Sequence, residues 1–151
     1  MKEIYYVYNN EAIASCIFLS LLNETKTIDI ARISLVLPFL LDDRTVNYLS
    51  NNRNHIELEN LIDEKPHIFT SFNKRYLSLL PVSINSLKML YNGGLISFQN
   101  QKVINNDSDL NLENILLGDR FNKINKIIPY FLSIIEKCST EQLYKILRIQ
   151  L

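Results

Sequence analysis

The stretch Ser78–Asn105, SLLPVSINSLKMLYNGGLISFQNQKVIN, decides how the chain is read. An apolar run reaches Leu80, and Pro81 has no amide proton to continue a helix, so the spacing predicts a stop there and a second helix from Val82 or Ser83. That second helix buries Ile84, Leu87, Met89, Leu90 and Tyr91 and turns Ser83, Asn85, Ser86 and Asn92 outward. Gly93 and Gly94 stand where its end needs a positive φ. LISF and KVIN then form a hairpin from about Leu95 to Asn105, joined around Asn100 and Gln101. Helix, turn, helix and β-wing follow in the order of a winged helix, over residues 65–105.

Winged helices serve as packing modules as well as DNA readers, and charge separates the two uses. A DNA reader neutralises phosphates with Lys and Arg. Here the second helix offers only Lys88 and the wing only Lys102, while Lys74 and Arg75 lie on the preceding helix. The nearly neutral outward face suits a protein partner better.

The whole chain agrees. Its 151 residues carry 16 basic and 16 acidic side chains, and a pI near 6.7 excludes a strongly basic nucleic-acid binder. With 47% hydrophobic residues the chain has material for one substantial core. Acids cluster at Glu57, Glu59, Asp63 and Glu64, and bases gather late at Arg120, Lys123, Lys126, Lys137, Lys145 and Arg148, an asymmetry able to orient a partner or simply to solvate a face. The start of the chain does not read as a signal peptide, and its longest charge-free apolar runs, ISLVLPFLL and IIPYFLSII, fall well short of the roughly 20 residues that span a bilayer. Cys16 and Cys138 sit in apolar helical patterns and read as buried thiols. A cytoplasmic protein without a membrane contact is expected.

The pattern predicts a mainly α fold, a compact helical domain with the winged-helix-like module and its short hairpin. One domain, 1–151, divides into an N-terminal helical part (1–64), the module (65–105) and C-terminal helices (106–151). EIYYVY is β-prone. Asn10 caps a mostly buried first helix, and Asp29 caps a second that is apolar nearly all round from Ile33 to Leu41, where Pro38 kinks or ends it. Asp42 and Asp43 are a pair able to bind a metal, but in this position they read as the break of that helix and the cap of the next. Ile68, Phe69, Phe72, Tyr76 and Leu79 or Leu80 share one side of the helix that precedes Pro81. NNDSDLNLEN reads as a loop, a helix after it is interrupted near Pro129, and Ser139 or Thr140 caps the last helix with Glu141 or Gln142 in its first turn.

No catalytic residue, metal site or cofactor site emerges. His55 and His67 flank an acidic link without a nucleophile in a motif context, and no CxxC, HxxxH or HExxH spacing occurs. The glycines are Gly93, Gly94 and Gly118, so neither a Walker A loop nor a dinucleotide fingerprint can be written.

The segments YNNEAIASCIFLSLL, ARISLVLPFLLDDRTVNYL, NKRYLSLLPVSINSLKMLYNGGLISF and TEQLYKILRIQL together resemble the middle-component proteins of bacterial ABC three-component systems, of the Lamassu anti-phage and anti-plasmid type. The matching positions are Asn10, Leu35 to Leu41 with Pro38, Arg44, Arg75, Pro81, Leu87, Gly94 and Ile96; the match is weakest from Asn105 to Asn114. The resemblance implies a non-enzymatic adaptor in a hetero-oligomer with an SMC-like ABC ATPase subunit and an effector subunit, often a nuclease, with DNA touched at most through the complex. A winged-helix DNA-binding transcriptional regulator is the second reading, and a small enzyme the third. For an adaptor, aromatic and cationic side chains beyond the core pattern are the partner-binding candidates: Tyr5, Tyr6, Tyr8, Arg75, Lys88, Phe98, Tyr144 and Arg148.

Overall fold

The computed structural model describes residues 9–53, 56–107, 112 and 118–151. The chain is mainly helical, as its pattern predicts, with one small sheet. In chain order the described elements are α1 (Glu11–Thr25), β1 (Thr27–Asp29), α2 (Ile30–Ile33), α3 (Val36–Leu40), α4 (Asp43–Asn51), α5 (Leu58–Glu64), α6 (Pro66–Phe69), α7 (Phe72–Asn92), β2 (Ile96–Gln99), β3 (Lys102–Asn105), α8 (Asp119–Ile135) and α9 (Thr140–Ile146). EIYYVY, with Tyr5, Tyr6 and Tyr8, His55, and most of NNDSDLNLEN lie outside the described residues.

Helix starts follow the sequence chemistry. Asn10 accepts the amides of Ala12 and Ile13, and Asp42 accepts that of Thr45. Ser139 and Gln142 close a reciprocal capping box. Asp29 does not cap: its carboxylate accepts from Thr140 Oγ1 at 3.0 Å instead. The apolar segment 33–41 is split at Ser34–Leu35 into α2 and α3. Ser34 is the residue whose carbonyl Pro38 cannot bond, so the proline breaks the helix one turn before itself.

Pro81 behaves differently. It lies inside α7, which runs 21 residues without a turn, so the helix-turn-helix expected at this proline does not form. Pro81 and Leu77, the residue four before it, are both exposed, which leaves the carbonyl that lost its donor on the solvent side. Pro129 is likewise exposed within the uninterrupted α8. Because α7 is continuous, its phase is set by Phe72, Tyr76 and Leu79. The buried stripe runs on through Ser83, Ser86 and Leu90, flanked by Val82 and Leu87. Ser83 and Ser86 therefore point inward, and Ile84, Met89 and Tyr91 point outward, the reverse of what two separate helices require.

α1 packs against both α7 and α8, α3 against α7 and α4 against α8. Phe39 sits at the centre, its ring 4.7 Å from that of Phe72 and 5.2 Å from that of Phe131. A Schellman motif ends α7: Leu95 donates to Leu90 O, Gly94 to Tyr91 O, and Gly94 takes φ 74°. Gly93 stays right-handed. The hairpin forms where expected and closes through Asn100 and Gln101, both at positive φ, the backbone of a type I′ turn. Its third strand is unexpected: β1 pairs antiparallel with β3, with Ile28 opposite Val103, giving the order β1-β3-β2.

Candidate interaction surface on the long helix and hairpin

The reversed phase of α7 leaves large apolar side chains in solvent. Leu77, Ile84, Met89, Tyr91 and, on the hairpin, Phe98 are between 41 and 57% exposed. Leu77, Ile84 and Tyr91, seven residues apart, lie on one side of α7, and the Schellman turn folds β2 back beside the helix end, placing the Phe98 ring 5.3 Å from that of Tyr91; Met89 faces another side of the helix. Clustered exposed apolar side chains mark interaction sites, whereas isolated ones do not.

Of the residues singled out in the sequence, Lys88 and Phe98 belong to this surface. Lys88 is exposed one turn before Tyr91. The others lie elsewhere. Arg75 is half-buried and turned into the fold, donating through Nε to Pro38 O (3.3 Å) and through Nη1 to Ile68 O and Ser71 Oγ (both 2.9 Å), over the Phe72 ring. Tyr144 donates to Ala31 O at 2.6 Å, and its ring meets Tyr76 edge-on at 6.0 Å. Burial, and then the hydrogen bond with Tyr76, push the Tyr144 phenol above its usual range. Arg148 is exposed at the rim of a separate cleft between α5, α6 and α9, opposite Glu59 and Asp63.

Two late or early arginines share the internal role of Arg75. Arg32 donates to Thr140 Oγ1, Ile135 O and Cys138 O, clipping α2 to the corner between α8 and α9. Arg120 donates to Asn9 Oδ1 and Leu41 O, and lies 3.6 Å from Asp43. Arg120, one of the late basic residues in the sequence, ties α8 to the chain before α1. Sequence reasoning missed Leu77, Ile84, Met89 and Tyr91 as surface residues. The signal that reveals them is the 3-4 repeat continuing unbroken from Phe72 to Leu90, once Pro81 is allowed inside the helix.

Among the described residues, no three His, Cys, Asp or Glu side chains gather as around a metal ion. Cys16 and Cys138 are free and half-buried, and burial pushes the Cys16 thiol up. No helix among the described residues is long and apolar enough to cross a membrane.

No curated protein and no solved structure matches the chain. A family model does, over residues 1–151: the ABC-three component (ABC-3C) system Middle Component 3. The chain, with its long helix and hairpin bearing an exposed apolar surface, belongs to that family of middle components.

Proposed function

We propose that the chain is a non-catalytic adaptor that holds together an SMC-like ABC ATPase and an effector in a Lamassu-type anti-phage or anti-plasmid complex. Membership in a three-component family means that the chain works with partner components. The observation that carries the adaptor reading is the apolar surface of α7 and the hairpin, which stands in solvent when the chain is alone. A surface of this make-up gains free energy when a protein covers it. It also weighs against the DNA-regulator reading. The helix before the wing would press Leu77, Ile84 and Tyr91 against a phosphate backbone, where neither apolar burial nor counter-ion release rewards it.

Co-expression with the flanking genes and size-exclusion chromatography test the proposal. One complex is expected to contain all three chains, with the Tyr91→Ala/Phe98→Ala double variant eluting free of at least one partner while still folded. The isolated chain is expected neither to hydrolyse ATP nor to cleave DNA. Metal-dependent nicking that survives purification and disappears in Asp42→Asn or Asp43→Asn would overturn the non-catalytic part.

A further inference from the structure

Leu77, Ile84 and Tyr91 are seven residues apart, and Lys74, Pro81 and Lys88 are seven apart between them. All six are exposed. The outward face of α7 therefore reads Lys74, Leu77, Pro81, Ile84, Lys88, Tyr91 in alternating steps of three and four, the spacing of a coiled-coil seam. It spans about 25 Å along the axis, close to five turns. The inward face carries a second such stripe, Phe72, Tyr76, Leu79, Ser83, Ser86 and Leu90, which α1 and α3 cover. The outer stripe has no helix of this chain against it among the described residues.

We infer that the occupant of this outer stripe is an amphipathic α-helix of a partner component. The inferred helix has apolar residues that meet Leu77, Ile84 and Tyr91, and carboxylates that meet Lys74 and Lys88. This rests on the adaptor reading and names the partner's docking element. Only a helix repeats its side chains with a period that stays in step with a 3-4 seam over five turns; a strand or an irregular loop loses register within one or two. The carboxylates follow from charge. The stripe holds two ammonium groups and no acid, and α7 as a whole contains no Asp or Glu. The Glu11 carboxylate reaches α7 at Asn85 Nδ2, 3.2 Å away, beside the stripe. Lysines within a seam keep their stems on the apolar surface and leave the ammonium to be met at the edge. A neutral seam opposite them would leave two charges partly desolvated, and a basic one would repel. Pro81, the exposed ring in the middle of the seam, has no counterpart elsewhere in the stripe and so marks one register for its partner. Tyr91 and Phe98 close one end of the seam as an aromatic pair.

Two synthetic helical peptides of about 21 residues test this, each with Leu at the seam positions, one carrying Glu and the other Lys opposite Lys74 and Lys88. Fluorescence anisotropy with the full chain is expected to show the Glu peptide binding at least about tenfold more tightly. Lys88→Glu, with Lys74 still in place, is expected to abolish that preference, and Ile84→Ser/Tyr91→Ser to weaken the Glu peptide about tenfold with circular dichroism unchanged. Equal affinity for both peptides, or a preference that survives Lys88→Glu, overturns the inference. So does concentration-dependent self-association that Ile84→Ser removes, since the occupant is then a second copy. If neither peptide binds but Ile84→Ser/Tyr91→Ser loses a partner on co-expression, the adaptor reading stands and the helix inference falls. If the variant keeps every partner, the surface is not the docking site and both fall.

Discussion

Arg75 Nε donates to the carbonyl of Pro38 across 3.3 Å, so the cation that the sequence offers to a partner is held by the chain itself. Pro38 stands in α3, and the same guanidinium also donates to Ile68 O in α6. Arg75 thus ties three helices to one point. Arg75→Met keeps the stem and removes the donors, leaving half-buried carbonyls to be resolvated. Its expected cost is about 2 kcal/mol, read as a lower midpoint in urea denaturation. Binding of partners by the folded variant is expected to be unchanged.

Ser86 is fully buried where α1 meets α7, its hydroxyl 3.4 Å from Glu11 O. Ser86→Leu raises hydrophobicity yet is expected to destabilise the chain by roughly 1–3 kcal/mol, because added methylenes force the two helices apart. Ile84→Ser, two residues away and 57% exposed, is expected to change stability by no more than about 0.5 kcal/mol. Thermal-unfolding shifts in the opposite order would mean that Ser86 faces solvent and Ile84 the core.

Gln101 sits at φ 63° in the hairpin turn, with its carbonyl accepting from Ile30 N at 3.0 Å and its side chain exposed. Glycine adopts this conformation without the Cβ clash and keeps the carbonyl in place. Gln101→Gly is expected to add about 0.5–1 kcal/mol, visible as a higher melting temperature.

Tyr144 ionises less readily in the folded chain than in the unfolded one, where its ordinary value is near 10. The stabilisation from the neutral phenol is therefore complete below pH about 10 and is lost as pH rises through the folded-state value. Tyr144→Phe removes the bond to Ala31 O and is expected to be roughly 1 kcal/mol less stable at pH 8. That gap should narrow by pH 11, since phenylalanine has no proton to lose. Denaturation midpoints of both chains at the two pH values check this; a constant gap would count against it.

The sequence shows clearly what depends on near neighbours. Asn10, Asp42 and Ser139 cap helices because their acceptors reach amides two or three residues on, and residues 95–105 form a hairpin because turn and strand signals coincide. Helix phase was misread at Pro81, where a local penalty of about 3 kcal/mol is outweighed by the burial of both halves of α7 against α1 and α3. With it went most of the candidate surface. Phe98 and Lys88 read as lying outside the core, where the structure has them, because neither fits a core pattern, whereas Ile84, Met89 and Tyr91 read as core. The roles of Arg32, Arg75 and Arg120 were hidden because their acceptors are backbone carbonyls tens of residues away, which no side-chain pattern records.

The three residues of β1 also bear on how the chain is made. Thr27–Asp29 leave the ribosome well before the strand they pair with, which lies roughly 75 residues later, so their backbone groups must wait for it before the ladder can close. Asn105 completes that closure, its amide donating to Lys26 O and its side chain to Leu22 O and Asn23 Oδ1 at the end of α1. Synthesis past the hairpin is therefore the step that locks the end of α1 and the strand after it. A nascent chain stalled before Asn105 should remain open to proteolysis after Thr25, and one that has cleared the exit tunnel by a few dozen residues should not.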